Sequence, residues 1–355
     1  MESLLAAHER AGEFLETPGV ASFGAAEAVF GAPLPVSRPF ASGIGRYRIL
    51  RELGQGGMGV VYLAERADAT FEKKAAIKVV HGGLASGVLK ERFRHERRIL
   101  ATLDHPNIAR LLDGGTTRDG LPYFVMEYVD GVPVDAYCET PPLPVRTRLA
   151  LFLQICAAVQ YAHQHLVIHR DLKASNVLVT AGGTPKLLDF GIAKLVEPGA
   201  LPQDETRTGL RALSLQAASP EQVRGEPMAV TSDVYSLGVL LYRLLAGRSP
   251  YGPDRGSDPE LLRAIFDDVP VRPSLVAPPE RRRELRGDLD WIVLKALRKE
   301  PARRYGSVEQ LSDDISRHLT GRPVLAGPDS WQYRARKFVA RNRTLIAAGV
   351  LLALS

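Results

Sequence analysis

The run VIHRDLKASNVLV, Val167 to Val179, followed after a short turn by KLLDFG, Lys186 to Gly191, decides the reading of this chain. Asp171, Lys173, Asn176 and Asp189 place two carboxylates, one amide and one cation around a predicted strand–turn region, with His169 opening the HRD triplet. Such a set fits phosphoryl transfer. A carboxylate orients an attacking hydroxyl and accepts its proton, hard oxygen ligands hold Mg²⁺, and a lysine neutralises charge on the moving group.

Upstream, GQGGMGVVY, Gly54 to Tyr62, joins two strand-like runs. Glycines at 54, 56, 57 and 59 remove side chains, so backbone N–H groups can approach a phosphate closely. A dinucleotide-binding turn needs a helix after the loop, whereas the strand-like VVYLAER follows here, so the loop is the tip of a hairpin. Taken alone it reads equally as a flexible turn. Further on, Lys78 lies inside the apolar strand AAIKVV, and Glu96 lies on the stripe Phe93, Glu96, Leu100, Leu103 of a predicted helix. Neither charge is cheap to bury alone, each supplies what the other lacks, and a lysine held by a carboxylate is placed to reach nucleotide phosphates.

Short β-rich runs dominate from Tyr47 to Asp130, and helical patterns dominate afterwards, as in TRLALFLQICAAVQYAHQ, SDVYSLGVLLYRLLAG and SVEQLSDDISRHL. A small β-rich unit followed by a larger helical one predicts an α+β, bilobal arrangement, with lobes at about 47–130 and 131–320 and a cleft between them. Pro18, Pro33, Pro35 and Pro39 among small residues mark 1–46 as an N-terminal extension or tether.

The 355 residues carry 46 Lys plus Arg against 40 Asp plus Glu, a formal net charge of +6. Arg334, Arg336, Lys337, Arg341 and Arg343 supply five of those charges in a stretch without acidic residues, so the rest of the chain is nearly neutral. That argues against a broad nucleic-acid footprint. The cluster stands just before the apolar run TLIAAGVLLALS, Thr344 to Ser355. This run is short of the about 20 residues a bilayer needs, so it reads as a buried terminal helix or as the start of a truncated span. Positive charge at its entry, with Trp331, Tyr333 and Phe338 at aromatic-belt depth, favours the span. Residues 321–343 then form a basic juxtamembrane segment held by anionic lipid, against the competing expectation of a basic helix packed on the domain. Glu2, Glu9 and Glu13 and the lack of a sustained apolar core exclude a secretory signal, so residues before 344 are expected on the cytoplasmic side of the inner membrane. Cys138 and Cys156 are too few for a disulfide framework or a zinc site, and Cys156 sits on the stripe Phe152, Ile155, Val159, where it is predicted to be buried.

Taken in order, the glycine loop, Lys78, Glu96, HRDLKxxN, DFG, SPE and a late arginine resemble the eukaryotic-type (Hanks-type) protein kinase family, and most closely its bacterial membrane-anchored serine/threonine branch. The resemblance covers about residues 47–320. It implies a bilobal kinase fold, ATP and Mg²⁺ (or Mn²⁺ in its place), and transfer of the γ-phosphoryl group to Ser/Thr hydroxyls of protein substrates. It implies that Leu53, Gly54, Gln55, Gly56, Gly57, Met58, Gly59, Val60 and Val61 cover the ATP phosphates, that Lys78 pairs with Glu96, and that Met126, Glu127 and Val129 supply the gatekeeper and the adenine-binding hinge. Asp171 would be the catalytic base, Lys173 the γ-phosphate contact, and Asn176 with Asp189 the metal ligands. Asp233 would brace the backbone of the triplet His169, Arg170, Asp171, and Glu221 of SPE would pair with Arg304.

Lys173, two positions after Asp171, resembles the serine/threonine pattern. Arg170 resembles kinases whose activation segment is ordered by phosphate, which makes Thr206, Thr208 and Ser214 the phosphorylation candidates and self-association a route to autophosphorylation. Ala174 stands where the family has Pro, and Ser214 and Ala217 stand where it has Thr and Tyr. The alternative function is a kinase-fold signalling scaffold with weak or no transfer. The joint presence of Lys78, Asp171 and Asp189 favours the enzyme.

Overall fold

Alternation along KAAIKVV sets the geometry of the small lobe. Ala75, Ile77 and Val79 are buried on one face of this strand, which leaves Lys78 on the other. The computed structural model describes residues 43–56, 59–67, 73–80, 91, 95, 97–190, 215, 217–252 and 258–342. Five antiparallel strands, β1 (Tyr47–Gly56), β2 (Gly59–Arg66), β3 (Lys74–Val80), β4 (Leu111–Thr116) and β5 (Pro122–Glu127), form a sheet in the order β1-β2-β3-β5-β4. Their buried face gathers Tyr62, Ala64, Ile77, Val79 and Val125 into a small core of its own.

The glycine loop is the tip of the β1–β2 hairpin, with Gly56 opposite Gly59. Gly59 has a φ of 146°, and a Cβ added there would lie 2.0 Å from the Val79 carbonyl oxygen. Only glycine fits that approach. Gly59→Ala is therefore expected to cost about 1–3 kcal/mol. A thermal melt reads this directly, and an unchanged midpoint would mean the hairpin does not close on β3 in this way.

A second sheet, β6 (Gly131–Pro133), β7 (Val177–Thr180) and β8 (Pro185–Leu187), is antiparallel in the order β6-β7-β8. The described helices are α1 (Val134–Glu139), α2 (Val145–Gln164), α3 (Pro220–Val223), α4 (Val230–Ala246), α5 (Asp258–Phe266), α6 (Pro273–Val276), α7 (Pro279–Leu285), α8 (Asp288–Ala296), α9 (Val308–Leu319) and α10 (Trp331–Arg341). α4 is buried around nearly its whole circumference, as an all-round apolar helix must be, and it ends at Gly247 with a φ of 76°. α2 packs Leu149, Phe152, Ile155 and Val159 into the same large core, and Cys156 is buried among them as expected. Burial pushes the Cys156 thiol up to about 12, so it behaves as a small apolar group.

One expectation about the C-terminal segment is corrected. Residues 321–341 pack on the domain, with Val324 and Tyr333 in the large core. Tyr333, expected at the depth of an aromatic belt, is 6% exposed, and its hydroxyl donates to Asp288 Oδ1 at 2.9 Å. The reason is a carboxylate in the body of the fold. Asp288, at the start of α8, collects Tyr333, Lys337 and His318 Nδ1. Burial alone would raise its pKa, but these donors bring it down to about 2. Among the described residues no helix is long and apolar enough to cross a membrane. Residues 1–42 of the N-terminal extension and the run from Thr344 to Ser355 lie outside the described residues, while Ile44, at the end of that extension, is buried in the core of the small sheet.

Candidate active site

The turn between β7 and β8 is short, with Gly183 at a φ of 77°, and the register sets Val177 opposite Leu187. The residue before β7, Asn176, and the residues after β8 are thereby brought together. Leu188 N donates to the Asn176 carbonyl at 2.8 Å. Two chemistry-bearing segments that lie apart in the sequence thus meet at one end of a small sheet.

Around that end the side chains converge. Asn176 Nδ2 donates to the Asp171 backbone carbonyl at 2.8 Å and to Asp171 Oδ2 at 2.9 Å. Lys173 Nζ lies 3.0 Å from the same Oδ2. Across the cleft, Lys78 Nζ, pointing off the back of β3, reaches Asp189 Oδ2 at 2.5 Å. The expected partner of Lys78, Glu96, lies outside the described residues, as do Gly57 and Met58 of the loop and Thr206, Thr208 and Ser214. Leu53, Gly54, Gln55 and Gly56 lie on β1, and Gly59, Val60 and Val61 on β2, with Val61 in register with Lys78.

The donor set fits a divalent cation brought in with a polyphosphate. Asn176 spends its Nδ2 on Asp171, which leaves Oδ1 as a hard oxygen donor, and the Asp189 carboxylate is a second hard donor two residues after β8. Mg²⁺ is commonly held by one or two such protein oxygens, with substrate phosphates and water completing the octahedron. Among the described residues no group of three or more His, Cys, Asp or Glu forms a metal cage.

The loop that carries His169, Arg170 and Asp171 is held by a buried carboxylate on α4. Asp233 Oδ2 accepts from His169 N at 2.8 Å and Oδ1 from Arg170 N at 3.0 Å. Arg170 and Asp189 both sit at positive φ, 68° and 57°, conformations that cost a non-glycine residue energy and persist only where the surroundings impose them. His169 is fully buried. Its Nδ1 accepts from Asp171 N at 3.3 Å and its Nε2 donates to the Leu188 carbonyl at 2.9 Å, so the ring ties the HRD turn to the strand leading into Asp189. Burial holds the imidazole below its usual pKa, and the neutral tautomer is the one both bonds require.

Further from the cleft, Arg304 meets Glu221 with Nη1–Oε1 at 2.7 Å and Nη2–Oε2 at 2.8 Å, and Ser232 Oγ donates to Glu221 Oε1. At the hinge, Met126 lies opposite Ala76 of β3 and Leu111 of β4, and Val129 is buried. The carbonyl of Ala217, which stands where the resembled family has Tyr, accepts from Ser236 Oγ at 2.7 Å.

Three supporting residues were missed from the sequence. His163 Nε2 shares Asp233 Oδ2 at 2.7 Å, and Gln222 Nε2 donates to the Arg170 carbonyl at 2.9 Å. Lys186 Nζ pairs with Glu127 at 2.8 Å, joining β8 to the hinge. Only His163 left a trace, as a histidine one turn below Val159 on the apolar side of α2.

The protein kinase domain family matches residues 47–315 of the chain. Among curated relatives, the serine/threonine-protein kinase PknB of Mycobacterium leprae is 35% identical over 283 residues, which is 78% of this chain and 44% of that protein. A probable serine/threonine-protein kinase of Streptomyces coelicolor is 36% identical over 286 residues, 79% of this chain and 41% of that protein. The chain thus spans less than half the length of these relatives. Among solved structures, the PknI kinase domain of Mycobacterium tuberculosis is similar with a TM-score of 0.57 and 28% identity, covering 78% of this chain and 96% of that one.

Proposed function

The chain belongs to the protein kinase domain family, and from that premise we propose that it is an active serine/threonine protein kinase that moves the γ-phosphoryl group of ATP to Ser or Thr hydroxyls of proteins. The observation that supports this is the convergence of Asp171, Lys173, Asn176 and Asp189 at one end of the β6-β7-β8 sheet, with Lys78 of β3 reaching Asp189 from across the cleft. Asp171 orients the acceptor hydroxyl and takes up its proton at a carboxylate oxygen, and Lys173 beside it balances charge on the transferred group. Lys78, now paired with Asp189, would contact the phosphates of the bound nucleotide. Leu53 to Val61 cover the phosphates from the hairpin, and the backbone from Met126 to Val129 faces the adenine. Asn176 and Asp189 would hold Mg²⁺, which when bound neutralises charge on the β- and γ-phosphates. Asp233 and His169 hold the loop in its strained form, so most of the catalytic gain lies in orientation and preorganised charge.

Arg170 before the catalytic carboxylate supports regulation by phosphate on the segment that contains Thr206 and Thr208. Incubation of the full chain with γ-labelled ATP, Mg²⁺ and a basic protein is expected to label both the protein and the chain. A phosphopeptide map is expected to place the chain's label on Thr206 or Thr208. Labelling with neither residue modified would overturn the activation-segment reading and leave the transferase reading standing. The basic residues before the apolar run support a cytoplasmic kinase domain held at the inner face of a membrane.

A further inference from the structure

α10 is attached to the body of the fold by one stripe. Tyr333 is buried and Lys337, one turn later, reaches Asp288. Edge-to-face packing of Tyr333 on Trp291, with ring centroids 5.5 Å apart, completes the attachment. At 100° per residue the opposite side of the helix is centred on Ala335, with Trp331 and Phe338 to one side of it and Val339 to the other. Trp331, Phe338 and Val339 are 77%, 55% and 50% exposed, an unusual concentration of large apolar side chains facing water on one short helix. Arg341 and Arg336 are exposed on either flank, and the Arg341 guanidinium lies 6.0 Å from the Phe338 ring centroid. From Ser330 to Arg343 the sequence contains no acidic residue.

An outward apolar strip with an aromatic at each end, arginines on both flanks and no carboxylate is the composition of a helix that lies in a lipid headgroup layer. There the arginine stems cover apolar surface while their heads meet phosphates. A protein partner of mixed charge does not select for the absence of acidic residues over fourteen positions. We propose that the outer face of α10 docks on an anionic phospholipid bilayer and, because Tyr333 and Lys337 fix the helix to the large lobe, holds the kinase domain flat against the membrane in one orientation. This deepens the membrane reading above and rests on it. It adds that the folded domain itself, and not only the apolar run after it, touches lipid.

The test uses the full chain carrying Trp291→Phe, so that Trp331 is the single indole, with vesicles of phosphatidylcholine alone or mixed with phosphatidylglycerol. Trp331 emission is expected to shift to the blue on the mixed vesicles. Partition onto them is expected to fall roughly thirty-fold in Arg336→Ala/Arg341→Ala, at about fivefold per basic side chain. Both side chains are exposed, so the packing of α10 is untouched. Binding to neutral vesicles reports the apolar run alone and is expected to be the same in both proteins. Equal binding to both vesicle types, with no loss in the variant, would overturn the docking of α10 while leaving the apolar run as an anchor. Binding to mixed vesicles only would overturn the anchor and leave the docking. A blue shift without vesicles that grows with protein concentration would assign the face to self-association and overturn the lipid proposal.

Discussion

Asp171→Asn is expected to lower the rate of phosphoryl transfer by about 10²–10⁴-fold, with the affinity for ATP little changed. The substitution keeps the shape of the side chain, so Lys173 and Asn176 retain a neighbour of the same size. What is lost is a group able to accept the proton of the attacking hydroxyl. Oδ2 is already bonded to Asn176 Nδ2 at 2.9 Å and Lys173 Nζ at 3.0 Å, so this carboxylate is held in place before any acceptor arrives. Its contribution is therefore realised in the transition state, and the loss belongs in kcat and not in KM. Single-turnover transfer from γ-labelled ATP measures it, with nucleotide binding followed separately. If the wild-type chain binds ATP but transfers no more label than Asp171→Asn, the protein is a kinase-fold scaffold and not an enzyme.

How much of this site was legible in the sequence follows from how far apart its parts lie along the chain. Asp171, Lys173 and Asn176 share six residues, and Asp189 follows across one hairpin, so a local pattern carried them. Lys78 was legible because a charge inside an alternating apolar strand has to face a partner. Its bond to Asp189 was not, since that bond joins positions 111 apart, and the expected pairing with Glu96 lies outside the described residues. The same holds for the C-terminal helix. Asp288 gathers donors 30, 45 and 49 residues downstream, and nothing local to it marks it as their meeting point. Read without that carboxylate, Tyr333 passes for a membrane-interface residue. With it, Tyr333 and Trp331 point to opposite sides of one helix, a division that the basic and aromatic composition of the segment does not reveal.

Arg304→Met is expected to be the most destabilising single change outside the cleft, at about 3–5 kcal/mol, or a melting point lower by roughly 6–20 °C. The guanidinium is fully buried and makes two bonds to Glu221 while also donating to the carbonyls of Thr231, Lys299 and Arg298. Methionine fills much of the volume, so the cost is mainly electrostatic, from a Glu221 carboxylate left in a dry site with Ser232 and its own backbone N–H but no cation to meet it. Two further measurements separate this from a simple packing defect. Glu221→Leu/Arg304→Met removes both charges and is expected to recover a large part of the loss, since an apolar pair of similar volume replaces a buried ion pair at little cost. The second is pH. Burial by itself would raise the Glu221 pKa, but Arg304 and Ser232 bring it down to about 2. The unfolded chain therefore takes up a proton before the folded one does, and the pair's stabilisation, complete at neutral pH, is lost as pH falls between about 5 and 2. In Arg304→Met the largest lowering influence is gone, and only Ser232 and the backbone N–H of Glu221 remain to offset burial, so acid costs the variant less than it costs the wild type. Urea midpoints of the two proteins should therefore converge as pH is lowered from 7 towards 3. A gap that stays constant over that range would mean the destabilisation comes from lost packing and not from the stranded charge.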